Sequence, residues 1–323
     1  MPKVSAGLPV YNGEMWIQYA IESVLNQTFK DLELIIIDDG SIDRTIDIIN
    51  SYNDNRIRLI EQKNQGFTVA TNTHIANCQG EYLCFIGDDD IWHPQKIEKQ
   101  VNFMENTASD LIHSNVIHID KNGQYIGTRN PKFPMSLPRE EYIKKLFLKN
   151  HVCHQTVFIS QKVFEKVGGF DNQLKIISDH EMWTRAAKAF NFGYINEPLA
   201  KKRIHDQQIS NNKLVMVNDL FYFIEKAEKM YPFLHNSVEK RKKISNAYLI
   251  WGKNELKQSN LTRAKEKFLQ AYKTYPSLMY KFGSMSPSTY IKFEHMSSLL
   301  GQIKFKLQSH KPQLASKTKC YLQ

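Results

Sequence analysis

Four cysteines in 323 residues (Cys78, Cys84, Cys153 and Cys320) are too few for a disulfide framework, and their spacing is not that of a metal site. No apolar run approaches the length needed to span a bilayer. The chain opens Met1-Pro2-Lys3-Val4-Ser5 with no charged-then-apolar leader, so export is not expected and a cytoplasmic location fits. No Gly-x-Gly-x-x-Gly follows the first strand-like segment, which argues against a dinucleotide-dependent dehydrogenase. Hydrophobic residues make up 41%, which excludes a disordered chain and allows one large domain with a smaller appendage.

Acidic charge is scarce in one part of the chain only. Residues 1–200 carry 20 Lys and Arg against 25 Asp and Glu, whereas residues 201–323 carry 23 against 8, a net of +15. Such a basic third suits anionic lipid, nucleic acid or an acidic polymer, and equally a merely well-solvated helical surface.

The first 120 residues alternate strand and helix signals. Residues 4–8, 32–37, 57–61, 81–86 and 110–119 read as strands, the second as a continuous β-branched run of the buried parallel kind. Between them, residues 16–28 (apolar at Ile17, Ile21, Val24 and Leu25), 41–50, 67–77 and 94–105 read as helices. This alternation predicts an α/β fold with a mainly parallel sheet flanked by helices, whose ligands lie beyond the carboxyl ends of the strands. Three such ends are polar: residues 9–12, 38–41 and 88–90. After residue 121 the alternation breaks. Lys121-Asn122-Gly123 marks a hairpin turn, 139–149 a helix, 156–159 a strand and 178–190 a helix, and everything beyond 213 looks helical. The expected division is a first domain over 1–212 and a basic helical region over 213–323. Residues 248–276 match one tetratricopeptide-like helix pair through Gly252, Ala264, Phe268, Ala271 and Pro276. A lone repeat cannot stack into a solenoid, so an ordinary helical hairpin is preferred.

Residues 84–90 run from apolar Cys-Phe-Ile into Gly87, Asp88, Asp89 and Asp90. Three adjacent carboxylates repel one another, and a divalent cation is the usual counter-charge where phosphate chemistry follows. The competing reading is an acidic loop that starts a helix at Pro94.

Several separated motifs, in order, resemble the family-two glycosyltransferases of GT-A (Rossmann-like) fold over residues 3–210. They are Leu8-Pro9-Val10-Tyr11-Asn12, Ser23-Val24-Leu25-Asn26-Gln27-Thr28, Ile37-Asp38-Asp39-Gly40-Ser41, Asn64-Gln65-Gly66, Asp88-Asp89-Asp90-Ile91-Trp92-His93-Pro94, Val167-Gly168-Gly169-Phe170-Asp171 and Asp179-His180-Glu181-Met182-Trp183. The resemblance implies transfer of a sugar from a nucleotide-diphospho-sugar to an acceptor hydroxyl, inverting and metal-dependent, with Mn2+ or Mg2+ as the cation. Polysaccharide, capsule or glycolipid synthesis would supply a saccharide or lipid-linked acceptor. No nucleic-acid partner is implied.

The resemblance also implies roles. Pro9, Tyr11, Asn12, Asp38, Asp39, Asn64 and Gly66 fall at the nucleotide-sugar site, with Asp39 and Asp38 on the nucleoside and Tyr11 stacking on the base. Aligned through Ile91-Trp92, the family's usual first Asp is Gly87 here, which leaves Asp89 as the principal metal ligand and Asp88 as its helper on the donor side. Asp90 would orient Asp89 or serve the helix start. Asp179 falls where the family has its general base, and Ser178 replaces the common Glu before it. His205 stands where relatives carry a His near the metal or diphosphate. Arg203 would replace a basic residue that many relatives have at the position of Thr71. His154 and Gln155 would line the pocket. The departures at Gly87, Thr71 and Ser178 keep open a catalytically impaired nucleotide-sugar-binding or scaffold protein on the same fold. The basic C-terminal third is expected to allow peripheral contact with the inner face of a membrane.

Overall fold

The computed structural model describes residues 1–131 and 137–276. Its strands are β1 (Val4–Val10), β2 (Leu32–Asp38), β3 (Ile57–Glu61), β4 (Tyr82–Phe85), β5 (Ile91–Trp92), β6 (Leu111–Ile119), β7 (Tyr125–Arg129), β8 (Phe158–Ser160) and β9 (Phe192–Arg203). Its helices are α1 (Ile17–Leu25), α2 (Thr45–Asn50), α3 (Phe67–Asn77), α4 (Lys96–Glu105), α5 (Arg139–Leu148), α6 (Gln161–Val167), α7 (Ser178–Ala186), α8 (Lys213–Met230), α9 (Val238–Lys257) and α10 (Leu261–Thr274).

One sheet runs through the molecule in the order β3-β2-β1-β4-β8-β6-β9-β5, with β7 paired to β6. The expected parallel sheet is its first half, where β3, β2, β1 and β4 are all parallel neighbours. The second half is mixed, because β8, β7 and β5 enter antiparallel while β6 and β9 run parallel. Alternate side chains of β4 divide between two cores. Leu83 and Phe85 join the apolar side chains of α5, α6, α7 and α8, and Tyr82 and Cys84 join those of α1 and α4. That division follows from the period of two in a strand and gives three layers, helix, sheet and helix.

Three features differ from the reading of the sequence. β9 spans 12 residues that carried no strand signal, since Glu197 and Pro198 break its apolar pattern. Register shifts in β6 at Asn115 absorb that irregularity. The helix at 178 stops at Ala186 rather than continuing to 190. The acidic triplet does not begin a helix: Ile91 and Trp92 pair with β9, and α4 starts only at Lys96, with no side-chain cap.

Residues 1–274 form one compact unit. Leu220, Phe223, Ile224 and Ala227 of α8 and Ala247 of α9 lie in the same core as Trp183 and Met182 of α7, so packing is continuous across residue 212. α9 and α10 form a helical hairpin in which Ser245 Oγ donates to the Ala271 carbonyl at 2.9 Å.

Candidate active site

The neighbour order β2-β1-β4 puts the three polar strand ends side by side, as the alternation required. The first two loops interlock. Asn12, in the left-handed region at φ 53°, accepts from the Ile42 N–H at 2.9 Å, and its own N–H donates to Ser41 Oγ at 2.9 Å. The Gly13 N–H donates to Thr45 Oγ1 at 2.8 Å. The third loop closes against them: a Cβ on Gly13 would lie 2.6 Å from Asp88 Oδ2, so this close approach requires glycine.

Asp38 and Asp39 are both buried. Asp38 Oδ2 accepts from the N–H groups of Gly40 (3.1 Å) and Ser41 (3.0 Å), forming the turn, while its Oδ1 is buried without a partner among the described residues. Asp39 Oδ1 accepts from Gln62 Nε2 at 2.7 Å and the Gln65 N–H at 2.9 Å, and Oδ2 from the Gly66 N–H at 2.7 Å. The Asp39 carboxylate thus holds the 64–66 loop and the start of α3, and Oδ2 keeps room for one further donor. Asn64 packs its backbone beside Gly40. Pro9 is buried in β1 opposite Ile37, and Tyr11 is exposed on the rim at 48%.

The three carboxylates of the triplet have separate environments. Burial, reinforced by the neighbouring Asp89 charge, pushes the pKa of Asp88 up to about 7. Asp89 Oδ2 lies 2.8 Å from His205 Nε2, which must carry the proton because a carboxylate only accepts. The His205 ring rests 4.5 Å from that of Trp16, and its Nδ1 is buried without a partner among the described residues. Asp90 is 2% exposed and accepts the Arg203 N–H at 3.0 Å, so it fixes the end of β9 rather than a helix start. Burial, then the Asp89 charge, raises its pKa well above the usual carboxylate range.

Arg203 departs from the role expected for it. Its side chain is buried, and its guanidinium donates to the carbonyls of Asp89 (3.0 Å), Asp120 and Lys121 (3.2 Å each). The same guanidinium lies over Trp16, 5.3 Å from its centroid. It therefore clamps the triplet loop to the β6–β7 turn instead of projecting into the crevice.

Asp179 occupies the first turn of α7. Its Oδ2 accepts from Asn150 Nδ2 at 2.8 Å and its Oδ1 from the His180 N–H at 2.7 Å. Burial raises its pKa, opposed by those hydrogen bonds and by Lys202 and Arg129. The loop before it is held from α8, where Asp219 Oδ2 accepts the N–H groups of Lys175 (3.0 Å), Ile176 (2.7 Å) and Ile177 (3.3 Å). The departures at 71 and 178 are packed side chains: Thr71 is buried inside α3, and Ser178 Oγ accepts from Thr68 Oγ1 at 3.1 Å. His154 stacks on Phe85 at 4.9 Å, and burial pushes its pKa down to about 3, so it lines the interior as a neutral ring.

Lys202, Asn150 and Asp219 carried no motif and were missed. Lys202 was hidden in the unrecognised strand β9, and Asp219 looked like one more polar residue on a helix.

The model of glycosyl transferase family 2 matches residues 5–168. An uncharacterized glycosyltransferase of Rickettsia typhi is 32% identical over 215 residues, which cover 66% of this chain and 67% of that one. Chondroitin synthase of Escherichia coli is 29% identical over 217 residues, 66% of this chain but 31% of the synthase. Among solved structures, S. aureus TarS 1-349 in complex with UDP-GlcNAc superposes with a TM-score of 0.59 at 15% identity, over 87% of this chain and 92% of that one. The mannosyltransferase PcManGT from Pyrobaculum calidifontis, in complex with GDP-Man and Mn2+, superposes with 0.57 at 14% identity, over 96% and 88%. The superpositions carry the fold, and the sequence matches, running from β1 through α6, carry the lineage: the chain belongs to glycosyl transferase family 2, a glycosyltransferase built on the GT-A fold.

Proposed function

We propose that the enzyme transfers a sugar from a nucleoside-diphosphate sugar to an acceptor hydroxyl by single displacement, with inversion. The donor class is supported by UDP-GlcNAc on TarS and GDP-Man on PcManGT. The nucleoside would lie over Asp38 and Asp39, beside Tyr11, Asn12, Asn64 and Gly66. Asp38 Oδ1 and the unfilled acceptor site of Asp39 Oδ2 are the oxygens that a ribose hydroxyl or base N–H would use.

Asp88 and Asp89 suit a hard divalent cation. They are neighbouring carboxylates, the Asp89 charge helping to raise the pKa of Asp88, and Asp89 Oδ1 accepts no hydrogen bond among the described residues. No set of three protein ligands converges among the described residues. Mg2+ and similar ions need no such set, since one or two carboxylates suffice when the substrate phosphates complete the shell. Bound there, Mn2+ or Mg2+ would offset the charge of the departing diphosphate. His205 would hold Asp89 in place through its hydrogen bond or join the ligands.

Asp179 would take the proton from the acceptor hydroxyl. Burial raises its pKa, and a raised pKa makes a carboxylate a better base. The observation that supports the reading is the buried Asp179 carboxylate in the first turn of α7, held by Asn150 Nδ2 and the His180 N–H, with Lys202 acting on both Asp179 and Asp90. Substituting Asp179→Asn is expected to lower kcat about 10²–10⁴-fold while leaving donor binding intact. An Asn variant with full transfer activity would refute the base assignment. The acceptor belongs to saccharide or lipid-linked chemistry, and the basic C-terminal region would bring the enzyme to an anionic membrane surface.

A further inference from the structure

In the sheet half beyond β4, three cationic or ionisable side chains share one face. β6 pairs with β7 through Val116 against Arg129 and His118 against Gly127, and with β9 through Val116 against Ala200 and His118 against Lys202. Paired residues on adjacent strands point to the same side, as do residues two apart on one strand. Arg129, His118 and Lys202 therefore project together from three neighbouring strands, and all three are half-buried.

Asn150 links this group to Asp179, because its carbonyl accepts from the Arg129 guanidinium while its Nδ2 donates to Asp179 Oδ2. Lys202 and Arg129 both act on the Asp179 carboxylate and both act on buried Cys153. His151 stands in the same field, with Lys149, Arg129 and Lys145 around it. Neither Arg129 nor Lys202 has a carboxylate within salt-bridge distance among the described residues, and the Arg129 guanidinium donates to the Asn150 carbonyl at 2.5 Å. Partly desolvated cations with no carboxylate in direct contact attract anionic oxygens strongly.

We propose that Arg129, His118 and Lys202 bind an anionic group, carboxylate or phosphate, carried by the acceptor, so that the acceptor is an acidic rather than a neutral molecule. The inference rests on the reading of Asp179 as the base that faces the acceptor. Anionic oxygens could also come from the donor diphosphate, because Lys202 reaches Asp90 as well. Position favours the acceptor. Arg129 on β7 and His118 on β6 lie on the far side of β8 from the nucleotide-side ends of β2, β1 and β4, while the end of β9 is tied to the triplet through Arg203.

The test uses the full chain and two probes, inorganic phosphate and glucuronate. Their binding is followed by thermal shift, alone and with Mg2+ plus whichever of UDP or GDP itself raises the melting temperature. Both probes are expected to bind in the presence of saturating nucleotide, and Lys202→Gln and Arg129→Gln are each expected to weaken them at least 10-fold. Both variants should keep the nucleotide shift, which shows that they fold. Displacement of the probes by nucleotide would assign the cations to the donor diphosphate and overturn the proposal. So would equal binding by wild type and variants, or no binding at all. Retained probe binding without cleavage of any nucleotide-sugar would instead count against the transfer reading alone.

Discussion

Gly87 occupies the place of the Asp that the family usually has, and the structure gives a physical reason for its size. A Cβ there would lie 2.8 Å from Asp89 Oδ1 and 3.0 Å from Asp90 Oδ2. The two carboxylates fold back over the space that a side chain would fill. Gly87→Ala is therefore expected to displace Asp89 and to weaken Mn2+ binding by roughly 10-fold in calorimetric titration, the usual scale for disturbing a ligand's support. Unchanged affinity would mean that Asp89 is not a principal ligand. Metal affinity should also rise with pH through about 7, because Asp88 must shed its proton before it can ligate. At this scale the sequence was informative where a residue's chemistry is local. Asp39 and Asp89 lie on loops after strands, and Asp179 lies in the first turn of α7. Arg203 was legible as a cation but not as a clamp, because its partners are backbone carbonyls from a turn some 80 residues away.

Among the elements, α7 depends on its neighbours to present Asp179. His180 Nε2 lies 2.6 Å from the Leu146 carbonyl and so donates to it, which leaves Nδ1 as an acceptor. Lys243 Nζ of α9 reaches that nitrogen and the Leu148 carbonyl at 3.5 Å each, between the rings of Phe147 and Phe223. Burial pushes the Lys243 pKa down to about 7 from its ordinary 10.5. Between those values the unfolded chain binds the extra proton, so this residue makes stability rise with pH from 7 to 10.5. Below 7 the folded state carries the buried charge and that gain is lost. Lys243→Met should abolish this part of the slope, measured by urea denaturation across the same pH range, and a variant with the wild-type slope would show that Lys243 remains ionised when folded. None of this coupling could be read from sequence. α7 and α9 are separated by more than 50 residues, and each reads separately as an amphipathic helix. The strands of the first half were legible because each is a short apolar run that ends in a polar loop. β9 was not, since it is a partly exposed strand and carries Pro198.

For the whole molecule, the division of labour is set by charge and by which helices pack on the core. A cut at residue 212 would remove Asp219 from the loop before Asp179 and Lys243 from His180, so loss of activity there would say nothing about membranes. Compact packing extends to residue 274. Residues 277–323 carry 7 Lys and Arg against a single acid, Glu294, and residues 201–276 carry 16 against 7. Each Lys or Arg near an anionic bilayer contributes about 1 kcal/mol, so a net of +6 is enough to change partitioning by orders of magnitude. A chain ending at residue 276 is expected to bind vesicles containing phosphatidylglycerol at least 10-fold more weakly than the full chain in co-sedimentation, with the difference shrinking as salt rises. Its nucleotide-sugar binding should be unchanged, because every residue assigned to the donor site lies within residues 1–274. Equal vesicle binding by both chains would remove the membrane role from the tail and turn attention to the basic residues of 201–276.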